Sequence, residues 1–440
     1  MANIPASKEA FLKLCKEADV SFPYSEDISC LSKEIRVGTR IAHNRIVYQA
    51  MEGCDGTLDG APDELTKRRY MRFARGGAGI IWFEATAVLG EGRANPRQMY
   101  LTPKTRGDFE RIVNDIKEEC FKTNGFEPLV IVQLTHSGRY SKPEGTPAPL
   151  IAYNNPIFEK DNPIDKSRIV TDDYLDRLKE ALILGAQEAK SLGFDGADIK
   201  SCHRYLLSEL LSAYNREGRY GGSFENRTRM LTEAVKDAKS LTGRSFIITS
   251  RLNIYDGFEY PYGFGVKEGE GITPDLSEAI QLSKNLVKGG IDMLDFTMGN
   301  PYFNPHVNRP YSMGGYEAPE HPMFGVHRML EGISTVAKEI KGTPVISSGI
   351  SFLGSESAHV CAGYINEGKF DFAGYGRQTL AYPDVAKDVT SGKGLDPKKL
   401  CMCCSKCTEI MRKPGGTPGC VIRDGEVYMP IYKDLVLGKK

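Results

Sequence analysis

The chain has 440 residues, and its 57 basic and 57 acidic residues give a formal net charge of zero. This balance argues against nucleic acid or an anionic membrane as the main partner. The sequence holds no run of about 18 apolar residues, and residues 1–17 lack the apolar core of a secretion signal. We therefore expect no membrane span and a cytoplasmic location.

Apolar or β-branched runs alternate with helix-like segments along most of the chain. Eight such runs, typical of parallel strands buried on both faces, lie at residues 46–51, 79–88, 129–134, 194–199, 246–254, 291–297, 344–350 and 370–374. Eight consecutive strand–helix units predict an α/β fold of the (β/α)8, or TIM, barrel class. We place this barrel at residues 36–395, after an N-terminal arm at 1–35 and before a cysteine-rich C-terminal segment at 396–440.

Three insertions interrupt the array, at residues 140–167, 255–271 and 300–323. Each follows a predicted strand, so each is expected on the face of the barrel where catalysis takes place. Long loops on that face usually form a lid or a substrate pocket. The third insertion contains Tyr302 and His306 and predicts a large, partly aromatic pocket.

The fourth apolar run ends in a group of polar side chains. Lys200, His203 and Tyr205 lie within six residues of one another, where the strand should open onto the barrel mouth. A cation, an imidazole and a phenol together can hold a carbonyl oxygen and transfer a proton. The alternative is an ordinary polar loop above a helix.

Other strand ends carry groups suited to a flavin nucleotide. A buried Arg251 in an apolar strand is costly unless it meets an anion or a group rich in acceptors. The pyrimidine edge of a flavin offers such acceptors to Arg251 and Gln133. Gly349, Gly376 and Arg377, after the last two strands, suit its phosphate. An internal ion pair of Arg251 and ordinary strand–helix turns remain the alternatives.

Five cysteines lie within twenty residues near the end of the chain: Cys401, Cys403, Cys404, Cys407 and Cys420. In a cytoplasmic protein this density indicates metal ligation rather than disulfides. Four thiolates suit either a [4Fe–4S] cluster or tetrahedral zinc. One coherent ligand set is Cys401, Cys404, Cys407 and Cys420, with Cys403 spare or replacing Cys404. Free thiols are the remaining alternative.

Several motifs occur in register over about residues 36–395. They are Asn44-Arg-Ile-Val47, Glu84-Ala-Thr86, Gln133-Leu-Thr-His136-Ser-Gly-Arg139, Tyr220-Gly-Gly-Ser-Phe-Glu-Asn-Arg227, Ser348-Gly349 and Gly376-Arg377. With them the chain resembles the old yellow enzyme family of FMN ene-reductases. The cysteine-rich segment makes it similar to the anaerobic branch that contains 2,4-dienoyl-CoA reductase and trimethylamine dehydrogenase, and this favours an iron–sulfur cluster over zinc.

The resemblance implies a role for particular positions. FMN would be held by Ala50, Met51, Glu84, Gln133, Arg251, Gly349, Gly376 and Arg377. Lys200 and His203 would bind the substrate carbonyl, although Lys200 stands where the family usually has histidine. Tyr205 would protonate the substrate carbon opposite the hydride. Arg204 stands where glycine is common and would contact the substrate. As an alternative to carbonyl binding, Lys200 or Arg204 would pair with a substrate carboxylate or acidic hydroxyl. Tyr302 and His306 of the third insertion are the other expected substrate contacts.

These expectations describe an FMN-dependent ene-reductase that reduces the C=C bond of an α,β-unsaturated carbonyl compound. The electron source is left open between NAD(P)H and a separate electron-donor protein, as is the oligomeric state. Two other functions are considered. One is a C–N dehydrogenase of the trimethylamine dehydrogenase type, which the basic side chains disfavour because they repel an amine cation. The other is a flavin electron-transfer protein, which an intact Tyr205 disfavours.

Overall fold

Eight parallel strands form a barrel at the centre of the computed structural model, which describes residues 4–438. Seven neighbouring pairs are joined by ladders, and a bridge between Ile346 and Phe372 connects the two end strands. The barrel strands are β3 (Ile46–Tyr48), β4 (Ile80–Ala87), β5 (Leu129–Thr135), β6 (Gly196–Ile199), β7 (Ile247–Asn253), β8 (Met293–Thr297), β9 (Val345–Ile346) and β10 (Ala373–Tyr375). The predicted barrel and its eight strands are confirmed.

Helices lie between the strands, and the long ones cover the outside of the barrel. Those that precede the C-terminal segment are α1 (Lys8–Glu17), α2 (Glu64–Gly76), α3 (Arg106–Asn124), α4 (Pro156–Glu159), α5 (Asp172–Ser191), α6 (Leu206–Leu210), α7 (Phe224–Thr242), α8 (Ser277–Lys288), α9 (Pro305–Asn308), α10 (Pro322–Ala337), α11 (Ser357–Asn366), α12 (Arg377–Ala381) and α13 (Val385–Thr390). None of the helices in the described part of the chain is both long and apolar enough to cross a membrane.

Strands β4, β5 and β7 are buried at every residue. One face of each packs against the helices and the other fills the barrel, which explains their continuous apolar sequence. The bottom of the barrel is closed by an antiparallel hairpin of β1 (Ile35–Val37) and β2 (Arg40–Ala42). Val37 and Ala42 from this hairpin belong to the same buried apolar cluster as Trp82 inside the barrel. The sequence patterns did not predict the hairpin, whose strands have three residues each.

The C-terminal segment lies against the barrel and covers part of its mouth. It contains α14 (Lys406–Met411) and α15 (Gly425–Leu435). Asp424 accepts two hydrogen bonds from Arg68 of α2, at 2.7 and 2.9 Å, and is also bonded by Arg72. The Thr417 hydroxyl donates to Asp55 at 2.7 Å. The predicted arm and C-terminal segment also include residues 1–3 and 439–440, which lie outside the described residues.

We predict that Asp424→Asn loosens this segment, because one carboxylate neutralises two arginines. The free energy of unfolding should fall by about 1–3 kcal/mol, and limited proteolysis within residues 396–438 should become faster. Asp434→Asn is the matched control, since Asp434 is exposed on α15. Equal effects of the two substitutions would show that the Asp424 contacts do not hold the segment.

Candidate active site

A cavity lies at the carboxyl ends of the barrel strands, and its space together with the open solvent at its mouth is about 1150 Å³. Its walls come from the ends of most strands, from the insertion at 300–323 and from the C-terminal segment. Twelve of the predicted site residues line it: Ala50, Met51, Gln133, Lys200, His203, Arg251, Tyr302, Gly349, Gly376, Arg377, Cys401 and Cys407. Residues that are far apart in the chain thus meet because parallel strands share one carboxyl edge.

The floor of the cavity is polar and internally bonded. Arg251 donates to the Ala50 carbonyl oxygen at 3.2 Å, and its Nε lies 3.3 Å from Asp295 Oδ2. The Gln133 amide nitrogen donates to Asp198 at 2.7 Å, which leaves the amide oxygen available to a ligand. Burial raises the pKa of both Asp198 and Asp295 to about 6. Arg251 and Gln133 are therefore held in place from behind while they face the cavity.

One end of the cavity is suited to a phosphate group. Gly349 has φ of +76°, a conformation that few other residues adopt. A Cβ placed at Gly376 would lie 3.3 Å from Met51 Sδ, so the absence of a side chain keeps the backbone accessible. Arg377 Nε is buried and, within residues 4–438, has no hydrogen-bond partner. An anion in this corner would satisfy that arginine.

The loop after β6 has a constrained backbone. His203 and Arg204 both have φ of 62°, in the left-handed region that side chains disfavour, which is a frequent property of active-site residues. His203 Nε2 is buried and has no partner among the described residues. Burial, with the nearby charges of Arg251 and Lys200, holds the pKa of His203 well below its ordinary value. A neutral imidazole is thus presented to whatever occupies the cavity.

Tyr205 lies just behind the cavity wall and joins three polar groups. Its hydroxyl donates to Glu52 Oε2 and lies 3.2 Å from the Tyr302 hydroxyl. Lys200 Nζ lies 3.7 Å from the centre of the Tyr205 ring and 3.8 Å from Glu52 Oε2. Burial, reinforced by Glu52 and then by Tyr302, raises the pKa of Tyr205 well above its ordinary value. The phenol therefore keeps its proton.

Glu52 is the functional candidate that sequence reasoning missed. It follows Ala50 and Met51 at the end of β3, so its position at the barrel mouth was visible in the sequence. Its partner Tyr205 is 153 residues away, and no local pattern connects them. Only the closed barrel brings the two side chains together.

The structure places three predicted ligand-binding residues outside the cavity wall. Glu84 accepts from Arg69 at 2.6 Å, and burial raises its pKa to about 7. Arg204 is fully buried, where it donates to Asp256 at 3.1 Å and to the Tyr153 hydroxyl at 2.9 Å. His306 forms its hydrogen bond with Tyr316, in the same loop. Internal partners thus occupy the groups that were expected to meet FMN or substrate.

The cysteine-rich segment contributes Cys401, Cys403 and Cys407 to the cavity wall. Cys401 Sγ accepts from the Cys403 backbone N–H at 3.4 Å, and Cys420 Sγ accepts from the Arg423 N–H at 3.3 Å. Across residues 4–438, no three His, Cys, Asp or Glu side chains are arranged to hold a metal ion. Cys401 and Cys407 each lie near enough to Cys404 and Cys420 to interact with them electrostatically. An iron–sulfur cluster or zinc at these four cysteines stays a prediction from the sequence.

The fold and the cavity agree with a comparison against known families. Residues 31–285 match the NADH:flavin oxidoreductase / NADH oxidase family. The chain belongs to this family. The resemblance to old yellow enzymes is thereby confirmed, and the protein is a flavin-dependent oxidoreductase.

Two relatives of this flavin oxidoreductase illustrate the range of the family. It is 30% identical to the NADPH dehydrogenase of Halalkalibacterium halodurans over 274 residues, which cover 62% of this chain and 72% of the relative. It is 25% identical to the cinnamate reductase of Clostridium sporogenes over 379 residues, which cover 84% of this chain and 54% of the relative. The chain thus spans about half the length of the cinnamate reductase.

A solved structure, 2-naphthoyl-CoA reductase in complex with 2-naphthoyl-CoA, superposes with a TM-score of 0.72 at 21% identity. The superposition covers 90% of this chain and 57% of that one, and it supports the fold.

The donor set of the cavity fits the flavin that the family binds. Arg377 Nε and His203 Nε2 are buried polar atoms without a hydrogen-bond partner in the described residues. Such atoms are costly unless a ligand or water reaches them. The phosphate of FMN would satisfy Arg377, its acceptor-rich ring edge would meet Arg251 and Gln133, and His203 Nε2 would be left for a substrate.

We predict that Arg204→Leu acts on stability rather than on substrate binding. The substitution leaves Asp256 buried without its cation, so unfolding should become easier by about 3–5 kcal/mol. The double variant Arg204→Leu, Asp256→Leu should recover part of this loss in chemical denaturation. If Arg204→Leu keeps full stability and raises only the Michaelis constant, Arg204 contacts substrate after all.

Proposed function

We propose that this protein reduces the C=C bond of α,β-unsaturated carbonyl compounds. The observation that carries the proposal is the position of Lys200, His203 and the Tyr205–Glu52 pair beside the groups suited to FMN. When bound, FMN supplies the hydride for the β-carbon. One relative is named cinnamate reductase, and this name agrees with the proposed reduction of a C=C bond.

The cavity residues divide into two sets. Ala50, Met51, Gln133, Arg251, Gly349, Gly376 and Arg377 would hold FMN. Lys200 and His203 would donate to the substrate carbonyl oxygen and stabilise the negative charge that develops there. A neutral His203 is compatible with this role, because its Nε2 is free and the positive charge comes from Lys200.

Tyr205 would deliver the proton to the α-carbon. Its raised pKa keeps the phenol protonated, and Tyr302 lies close enough to return a proton to it. Glu52 accepts the Tyr205 hydrogen bond and so orients the hydroxyl. The step adds one hydride and one proton to the double bond, and it leaves Tyr205 to be reprotonated.

Amine oxidation is the weaker candidate. The cavity wall contains five basic residues, Lys200, Arg251, Arg309, Arg377 and Arg412, and one acidic residue, Glu52. This excess of positive charge repels an amine cation.

The proposed source of electrons is NAD(P)H, which agrees with the names of the family and of the relatives. A separate donor protein and a [4Fe–4S] cluster at the cysteines remain predictions from the sequence, which iron and acid-labile sulfide assays would test.

The direct test uses the purified flavoprotein under anaerobic conditions, with its flavin reduced by light. An aryl enone should reoxidise the flavin stoichiometrically and yield the saturated ketone. A tertiary amine should leave the oxidised enzyme unreduced. Reduction by the amine, with no reaction of the enone, would reverse the assignment.

Tyr205→Phe should separate the two half-reactions. Without the phenol, flavin reoxidation by the enone should slow by about 10²–10⁴-fold, whereas flavin reduction by NAD(P)H should stay near the wild-type rate. Stopped-flow absorbance of the flavin measures both rates, and the second is the internal control. A similar slowing of both would indicate a structural role for Tyr205.

Glu52→Gln should change the pH dependence of enone reduction. The Glu52 carboxylate opposes ionisation of Tyr205, so its removal lowers the pKa of the phenol. The proton donor is then lost at a lower pH, and the alkaline decline of the reoxidation rate should begin at a lower pH than in the wild type. An unchanged pH profile would mean that Glu52 does not act on Tyr205.

A further inference from the structure

Carboxylates of the protein balance only two of the five basic side chains of the cavity. Arg251 has Asp295 at 3.3 Å, and Lys200 has Glu52 at 3.8 Å. Among the ion pairs of residues 4–438, none involves Arg309, Arg377 or Arg412. Arg309 and Arg377 have buried Nε atoms without a partner among the described residues, and an anionic ligand would stabilise them. The exposed Arg412 adds a third positive charge at the same cavity.

The flavin accounts for only part of this charge. A phosphate monoester carries about two negative charges at neutral pH. Arg377, beside Gly349 and Gly376, lies where that phosphate would be held. The three arginines exceed the charge of the phosphate by about one. Arg309 and Arg412 do not adjoin Gly376 in the chain as Arg377 does.

These two arginines come from different parts of the chain and meet at the mouth of the cavity. Arg309 lies in the insertion at 300–323 and donates to the Ser405 hydroxyl at 2.6 Å, while its Nε is buried without a partner in the described residues. Arg412 lies just after α14 and donates to the Pro301 carbonyl oxygen at 3.0 Å. Most donors of both guanidinium groups are therefore available to a ligand.

Arg412 also lies on the side of the cavity where the substrate is expected. Its Cζ is 5.2 Å from the centre of the Tyr302 ring. The Tyr302 hydroxyl in turn lies 3.2 Å from that of Tyr205, the proposed proton donor. An anion at Arg412 would thus belong to a molecule that reaches toward Tyr205.

We propose that Arg309 and Arg412 form a subsite for an anionic group of the substrate, and that the preferred substrates are unsaturated carbonyl compounds that bear a carboxylate. This inference rests on the proposed reductase function and names its substrate class. It also moves the expected acid-binding role away from Arg204, because Asp256 already neutralises that arginine.

The test compares a benzylideneacetone that carries a ring carboxylate with its methyl ester. Both are titrated into the oxidised flavoprotein, and binding is followed by calorimetry, which needs no turnover. The acid should bind at least about tenfold more tightly than the ester, since a charge-assisted pair stabilises it. Arg412→Gln should remove most of this preference and leave the affinity for the ester unchanged.

Lys413→Gln is the matched control, because it removes the same charge from an exposed neighbour that does not line the cavity. It should keep the preference for the acid. Equal binding of acid and ester to the wild type, or an equal preference in Arg412→Gln and Lys413→Gln, would overturn the proposal. So would weaker NADPH binding in Arg412→Gln with no change for the acid, since the pair would then serve the phosphates of the dinucleotide.

The two proposals fail in distinguishable ways. If the acid binds tightly through Arg412 but does not reoxidise the reduced flavin, the subsite stands and the reductase assignment falls. If both compounds are reduced with equal efficiency and bind equally, the reductase assignment stands and the subsite falls.

Discussion

A buried cation at the barrel mouth is stable only with a negative partner. Arginines paired with carboxylates of the protein support the structure, whereas arginines without such a carboxylate are available to ligands. Arg69 and Arg204 meet buried carboxylates of the protein. Breaking either pair would leave an uncompensated charge, so these contacts hold the surrounding segments in place. Arg377 and Arg309 have no such carboxylate among the described residues, and their partners are expected to be ligands.

The scaffold pairs also fix the loops that surround the cavity. Arg204 lies beneath an aromatic group formed by Phe158, Phe258 and Phe303, one from each of the three insertions, with ring centroids 5.1–5.4 Å apart. Its guanidinium is 5.3 Å from the Phe158 ring. The charge network and the aromatic contacts together join three loops that the sequence shows only as separate insertions.

The proposed catalytic groups combine a phenol that keeps its proton, Tyr205, with a neutral imidazole, His203. Burial raises the pKa of Tyr205 and lowers that of His203, because it disfavours the charged form of each. Lys200 supplies a positive charge over the face of the phenol ring, and Glu52 supplies a negative charge at its hydroxyl. Such an arrangement can donate a proton and stabilise an oxyanion without first changing its own charge state.

Much of this could be predicted from local patterns. The eight apolar runs predicted the barrel, because strands buried on both faces have a continuous apolar sequence. The strand ends predicted which residues would meet at the barrel mouth. These are Lys200, His203, Gln133, Arg251, Gly349 and Arg377. Only the tertiary structure decided which polar groups face the cavity. Glu84 and Arg204 meet carboxylate or arginine partners instead, whereas Glu52 meets Tyr205 and Arg412 reaches the mouth from the C-terminal segment. The physical reason is that side-chain pairing depends on contacts between residues distant in sequence, and no periodicity records those contacts.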